Sequence, residues 1–214
     1  MNSPVRIAWF SPLPPMASGI ADYSFELLPF IADRADVEAF CPRGALRRRA
    51  VAPPGIPLSD PARFAARAER YDAVFYHLGN NPFHTFVYRA ALERSGIAVL
   101  HEFVLHHLID HLLLDRTRRG LAAYEAILTE EYGQEGPRLA RLGSVGAFTE
   151  LERFLFPLSA HVLQASRGAV VHNARAREQA LEAAPGLPVW VVPHHAGQPP
   201  PAVAGVGREE ARAR

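Results

Sequence analysis

Residues 73–107 read AVFYHLGNNPFHTFVYRAALERSGIAVLHEFVLHH. Two short apolar runs, Ala73-Val74-Phe75-Tyr76 and Ile97-Ala98-Val99-Leu100, are each followed at once by polar residues, His77-Leu78-Gly79-Asn80-Asn81-Pro82 after the first and His101-Glu102 after the second. Runs this short and this continuously apolar suit strands buried on both faces of a parallel sheet. The segment from His84 to Arg94 between them has the composition of a crossover helix. In an open α/β sheet, ligands sit outside the carboxyl ends of the strands, so the polar clusters fall where a site is expected.

The same alternation extends in both directions. Val5-Arg6-Ile7-Ala8-Trp9-Phe10 reads as a first strand, the Pro-rich turn Ser11 to Ser18 follows, and an apolar-periodic helix begins near Gly19-Ile20. Strand, glycine-containing loop and helix in that order open a doubly wound domain. Val37 to Phe40 is a second strand, followed by a Pro/Gly-rich connection through Pro61 and a short helix ending near Arg70. From Phe103 to about Ala165 the pattern is helical, with Gly133, Gly136-Pro137 and Gly143 read as breakers. Gly168 to His172 and Val189 to Val192 resume the strand pattern around a helix from Ala174 to Ala183. The expectation is a Rossmann-like α/β fold with a mainly parallel sheet of six or seven strands and helices on both faces, covering residues 1–196. Residues 197–214, with Gln198-Pro199-Pro200-Pro201 as a stiff linker and a helix start at Gly207 to Arg214, read as the entry to a further domain.

Composition narrows the classes. Of 214 residues, 49% are hydrophobic and 21% charged, and the formal net charge is +1, which provides no global field for nucleic acid or an acidic membrane. The local basic stretch with Arg43, Arg47, Arg48 and Arg49 is read as a solvated loop, with contact to a phosphate or anionic headgroup as the alternative. Cys41 is the single cysteine, excluding an intramolecular disulfide and a Cys-rich metal site. No secretory signal pattern and no apolar run of membrane-spanning length is present. A cytoplasmic location is expected, with peripheral contact to the inner face of the membrane left open.

Ser18-Gly19-Ile20 exposes amide N–H groups at a helix N-terminus, an arrangement that accepts phosphate or a sugar hydroxyl; Ser18 as a simple N-cap is the alternative. One glycine in this loop is too few for a dinucleotide fingerprint, which disfavours a nicotinamide cofactor. Asn80, Asn81 and His84 suit the hydroxyls of a sugar, although Asn-Asn-Pro is also ordinary turn chemistry. His101 and Glu102 sit at a strand end where burial without partners would be costly. His172 occupies the corresponding place after the next strand. His107 and His111, with Glu102 and Asp110, raise a zinc or iron reading. The zinc-protease spacing fails by one residue, however, since His101 and His106 stand about 140° apart on an ideal helix, and no metal site is expected. Ser144 lacks nucleophile-elbow spacing and is placed in a loop. Phe148, Leu151, Phe154, Leu155 and Leu158 recur at helical spacing and are read as core, with membrane contact as the alternative.

Five segments carry a resemblance: SPLPPMASGIADYS, the 73–107 stretch, GSVGAFTELERFLFPLS, VVHNARARE and VVPHH. In that order they resemble the N-terminal half of family-4 retaining glycosyltransferases of the GT-B fold, over residues 4–195. The resemblance implies transfer of a hexose from a nucleotide-diphosphate sugar to a sugar or lipid-linked acceptor, with retention and without a tightly bound cofactor or metal. It implies that Ser18, Gly19 and Ile20 lie against the donor sugar and diphosphate, and that His101 contacts the transferred sugar while Glu102 orients that ring or binds an acceptor hydroxyl. Asp22, Asn80, Asn81, His84 and His172 would form the acceptor side, and His194 and His195 would line a hinge. The family's second domain carries two glutamates eight positions apart. No such pair occurs in this sequence, so the chain is expected to need a C-terminal donor domain, in cis or in trans, for catalysis. A stand-alone sugar-, nucleotide- or partner-binding domain, or a metal-dependent hydrolase, are the competing expectations; nucleic acid is not an expected partner.

Overall fold

Strand alternation organises the molecule. In β1 (Arg6–Phe10), Ile7 and Trp9 point to one face of the sheet while Ala8 and Phe10 point to the other, and all four are buried. The computed structural model describes residues 4–42, 50–114 and 117–195; the Arg43 to Arg49 cluster and the 197–214 segment lie outside these described residues. Beside β1 stand β2 (Asp36–Phe40), β3 (Leu58–Ser59), β4 (Ala73–Leu78), β5 (Ile97–Leu100), β6 (Gly168–Val171) and β7 (Val189–Val191). Among the described residues they form one sheet in the order β3-β2-β1-β4-β5-β6-β7, and every pairing is parallel. The fold is therefore Rossmann-like, with its order reversing between β1 and β4. The two-residue β3 was not anticipated. It falls within the Pro/Gly-rich connection, and its pairing with Ala39 and Phe40 leaves no periodic pattern in so short a run.

Helices cover both faces, as parallel connections require. On one face, α1 (Gly19–Ala32) contributes Leu28 to a core with Ile7, Trp9, Leu13, Val37, Ala39 and Ile56. On the other, α2 (Thr85–Glu93) packs Val87, Tyr88 and Ala91 against Phe10, Tyr76, Leu78 and Leu100. The same layer holds α3 (His106–Leu113), α4 (Arg118–Tyr132), α5 (Gly136–Ser144), α6 (Glu150–Leu155), α7 (Ala160–Gln164) and α8 (Ala174–Ala183). Caps start several of these: Ser18 for α1, Thr117 for α4, a Thr149/Glu152 capping box for α6 and Asn173 for α8. No helix among the described residues is long and apolar enough to cross a membrane.

Two expectations in the helical block need correction. Gly133 and Gly136-Pro137 mark the break between α4 and α5, with Pro137 in the first turn of α5, where its missing N–H costs nothing, but Gly143 lies inside α5 and breaks nothing. Ser144 accordingly ends that helix rather than sitting in a loop, and its hydroxyl donates to the Arg141 carbonyl at 2.8 Å. The glycines serve close approach: a Cβ on Gly136 would stand 2.7 Å from the Leu128 carbonyl carbon. The apolar run after Gly146 is also split. Phe148 and Leu158 are core, whereas Leu151, Phe154 and Leu155 are 64%, 63% and 62% exposed, because α6 spans only six residues and turns its apolar side outward.

A buried polar network ties α3, α4 and the end of α6 together. The His106 Nδ1 hydrogen is donated to the Phe156 carbonyl at 2.6 Å, and Nε2 then accepts from the Tyr124 hydroxyl at 2.7 Å. Gly143 leaves the space that Tyr124 fills: a Cβ there would lie 2.6 Å from Oη and 2.9 Å from Cε1. Because Tyr124 is fully buried and hydrogen-bonded it cannot swing aside. Gly143→Ala is expected to lower stability by about 1–3 kcal/mol, read as a shift of the urea midpoint, and an unchanged midpoint would contradict this packing.

Candidate functional site

Register and parity build the site. His77 is the fifth residue of β4 and pairs with Val99, Val99 pairs with Val170, and Leu100 pairs with Val171. Side chains alternate faces along a strand, so His101, following Leu100, and His172, following Val171, stand side by side on the face that also carries His77. This is the α1 face, where His77 stacks on Trp9 with ring centroids 4.0 Å apart. After β7 the chain brings His194 onto the same row, 3.7 Å from His172 and 5.3 Å from His101 between ring centroids.

From the opposite side, Tyr23 of α1 lies against the whole row. Its ring is 4.7 Å from His101, 5.4 Å from His194, 4.8 Å from His195, and 5.9 Å from both His77 and His172. His195 Nε2 also pairs with Glu26 at 2.9 Å. Beside Tyr23 opens a cleft of about 600 Å³, at the carboxyl edge of the sheet. Ser18, Gly19, Ile20, Asp22, Asn81, His101 and Glu102 line it, together with Tyr23, Glu26, His194 and His195. A cavity of about 490 Å³ at the other end of the strands, with Asp72, Arg94 and Arg167 on its wall, holds no buried side-chain nitrogen or oxygen lacking a partner.

The predicted residues thus divide. Seven of them line the cleft. His172 lies against His101 at 4.7 Å and reaches the cleft through it. The Asn80 side-chain oxygen accepts from the His107 and Leu108 N–H groups at 2.9 and 3.2 Å, capping the first turn of α3. Asn81, while lining the cleft, accepts from the Phe83 N–H at 3.0 Å. His84 is fully buried; its Nδ1 donates to the His77 carbonyl at 2.8 Å and it packs under Gly79, where a Cβ would stand 3.0 Å from its Nε2. Its place is beneath the loop, not on the cleft wall. The residues proposed for a zinc or iron reading do not converge: His107 pairs with Glu150 at 2.9 Å, Asp110 with Arg153 at 2.9 Å, and His111 is exposed on α3.

His77 and Tyr23 were not singled out from the sequence as site residues. For His77 a signal existed, since it lies at the end of an apolar run on the opposite parity to the core residues Tyr76 and Leu78. For Tyr23, three residues after Ile20 on α1, helical spacing alone does not separate a core aromatic from a cleft wall. His194 and His195, expected at a hinge, contribute to the cleft.

Burial sets the electrostatics. It drives His77 and His101 far below the ordinary imidazole range, aided for His77 by His84 and His172 and for His101 by His77, His172 and His194, and it lowers His84 to about 4. His172 and His194 are lowered by the same cause, and burial raises Tyr23. The row is therefore neutral at pH 7. His77 Nδ1 and His101 Nε2 share one hydrogen over 3.0 Å, while His77 Nε2, His84 Nε2, His101 Nδ1 and His172 Nε2 are buried without a partner. Buried unpartnered polar atoms are rare in folded proteins, and here they concentrate around one row. Neutral imidazoles with free nitrogens can hydrogen-bond hydroxyl groups or coordinate a cation, and one nitrogen from each of His101, His172 and His194 lies within 4.8 Å of the others.

No protein-family model matches the chain, and no curated protein matches it.

Neutral buried histidines make stability fall on the acid side. Below its ordinary value of 6.5 each histidine takes up a proton in the unfolded chain, while His84 in the folded chain resists protonation down to about 4. Stability is therefore full above pH 6.5 and lost as pH falls toward 4, His84 alone contributing on the order of 3 kcal/mol to that loss. Urea titrations from pH 7 to pH 4 should show it, with a shallower slope in His84→Asn. A flat profile would overturn the neutral assignment.

Proposed function

We propose that this chain is the acceptor-side, N-terminal domain of a retaining glycosyltransferase that moves a hexose from a nucleotide-diphosphate sugar to a sugar or lipid-linked acceptor. The observation that carries the reading is the cleft at the carboxyl edge, where the α1 N-terminus at Ser18 to Ile20 faces a neutral His101 whose Nδ1 has no partner. Sugars present many hydroxyls and no charge, and a neutral imidazole beside backbone N–H groups suits them. The positive end of α1, although its Ile20 N–H already goes to the Ser18 hydroxyl at 3.3 Å, suits the donor diphosphate.

In this reading His101 donates from Nδ1 to an oxygen of the transferring sugar. His77 holds that tautomer by donating its own Nδ1 hydrogen to His101 Nε2. Glu102, exposed beside His101 and 3.4 Å from the Asn80 N–H, takes an acceptor hydroxyl, as does Asp22. A second lobe carrying the nucleotide pocket and the paired glutamates that this sequence lacks would close over the edge, in cis or in trans. The exposed Leu151, Phe154 and Leu155 favour a lipid-linked acceptor and peripheral membrane contact over a soluble one.

The 214-residue chain by itself is expected to bind acceptor glycans without turning over any nucleotide sugar, with amide shifts confined to the 18–23, 79–84 and 101–102 segments. Turnover by the chain alone, or shifts confined to the Arg94 and Arg167 end, would refute the reading. In the two-lobed protein His101→Ala is expected to raise the barrier by about 2–4 kcal/mol, measured as kcat, and to change the thermal midpoint little. An unchanged kcat with a large fall in midpoint would make His101 a structural residue.

A further inference from the structure

β5 and β6 end in step, with Leu100 opposite Val171, so the residues that follow, His101 and His172, present their rings side by side. The segment leaving β7 lays His194 over them, stacked on His172 with the rings 29° apart. One nitrogen of each ring lies within 4.8 Å of the other two. We infer that His101, His172 and His194 form a binding site for a divalent transition-metal ion of the zinc class, held by three imidazole nitrogens.

The hydrogen bonds around the cluster leave suitable atoms free. His172 Nδ1 donates to the Val192 carbonyl at 2.7 Å, which places the hydrogen on that nitrogen and a lone pair on Nε2. His172 Nε2 is buried and has no partner. His101 spends Nε2 on His77, and its Nδ1 is likewise buried and unpartnered. When His101 Nε2 donates to His77, the reverse of the direction used in the sugar-transfer reading, Nδ1 carries the lone pair. A ligand histidine oriented by a hydrogen bond from its other ring nitrogen is the usual outer-shell arrangement of metal sites. The imidazole of His194 makes no hydrogen bond among the described residues and is free to supply the third nitrogen. Two buried nitrogens without partners are costly to fold, and a cation between them removes that cost.

Ligand chemistry selects the ion. Three imidazoles with no thiolate suit zinc, cobalt, nickel or copper rather than calcium or magnesium, which take oxygen. Zinc–nitrogen bonds of about 2.0–2.1 Å put tetrahedral ligand nitrogens roughly 3.4 Å apart, so the cluster must contract. His194 supplies the movement, because it lies in an exposed segment beyond β7, while His101 and His172 are set by strand ends. Three protein ligands leave a fourth position open, and since His101 and His194 both line the cleft, that position belongs to water or to an oxygen of whatever enters it. Other histidines are engaged elsewhere, His107 with Glu150 and His161 with Glu130, both at 2.9 Å. The site stands on this geometry and not on the sugar-transfer reading.

The test is titration of the metal-stripped, tag-free chain with zinc chloride by calorimetry, and with cobalt(II) followed by its visible absorption. One zinc per chain is expected, with the intense cobalt bands of a four-coordinate site. His194→Ala, at an exposed position, and His172→Ala should each weaken zinc binding by at least about a hundredfold. His111→Ala, at an exposed position on α3 outside the cluster, should leave binding unchanged. If His172→Ala loses its fold by circular dichroism, His194→Ala decides. Absence of stoichiometric uptake by the wild-type chain, or uptake that survives His194→Ala undiminished, overturns the site.

Discussion

Parallel pairing in common register is the constraint from which the rest follows. With β4, β5 and β6 aligned residue for residue, strand parity is shared across three neighbours. What leaves their carboxyl ends on one face must therefore form a row. Tyr76, Leu78, Ala98, Leu100 and Val171 on the opposite face are sealed under the helical layer, and a slip of one residue in any strand would exchange these for histidines. The apolar core thus fixes the histidine row without any attraction among the histidines themselves, whose mutual proximity disfavours protonation.

The ten histidines of the chain divide by what surrounds them. His106 is a core residue in full: both ring nitrogens are satisfied, by Phe156 and Tyr124, and it joins three helices. His84 braces the turn after β4 by holding the His77 carbonyl. In the row of His77, His101 and His172, as in His84, each ring has one nitrogen engaged and one buried without a partner, but only the rings of the row stand against one another beside the cleft. A half-satisfied polar cluster costs more than an apolar one would, which is the physical reason to assign function to the row and structure to His106. Tyr23 covers the row from α1, so access to it is governed by the same helix whose N-terminus opens the cleft.

Much of the fold was legible in the sequence for a simple reason. Strands buried on both faces leave continuous apolar runs, and crossover helices are forced between parallel neighbours, so β1, β2, β4, β5, β6 and β7 announce themselves. What failed was local: β3 is too short to have a period, and Gly143 reads as a breaker because its purpose, close approach of α5 to Tyr124 of α4, is invisible without the partner helix. Leu151, Phe154 and Leu155 have helical spacing, but spacing cannot tell which way a six-residue helix turns its apolar side.

For the site, the chain by itself determined that polar groups follow the strands: Ser18 and Gly19 after β1, Asn80 and Asn81 after β4, His101 and Glu102 after β5, His172 after β6. Sequence order was sufficient because parallel strands all end at the same edge. Only the tertiary structure decided which of these meet. Asn80 turned inward to cap α3 and His84 went under the loop, since an orphaned helix start and a buried carbonyl each needed a partner nearby. His194, 93 residues beyond His101 in the chain, came to rest on the row because β7 adds to the sheet beside β6, and Tyr23 arrived from α1 on the far side of the cleft. Those two approaches join segments with no shared periodicity, so no local pattern could have carried them.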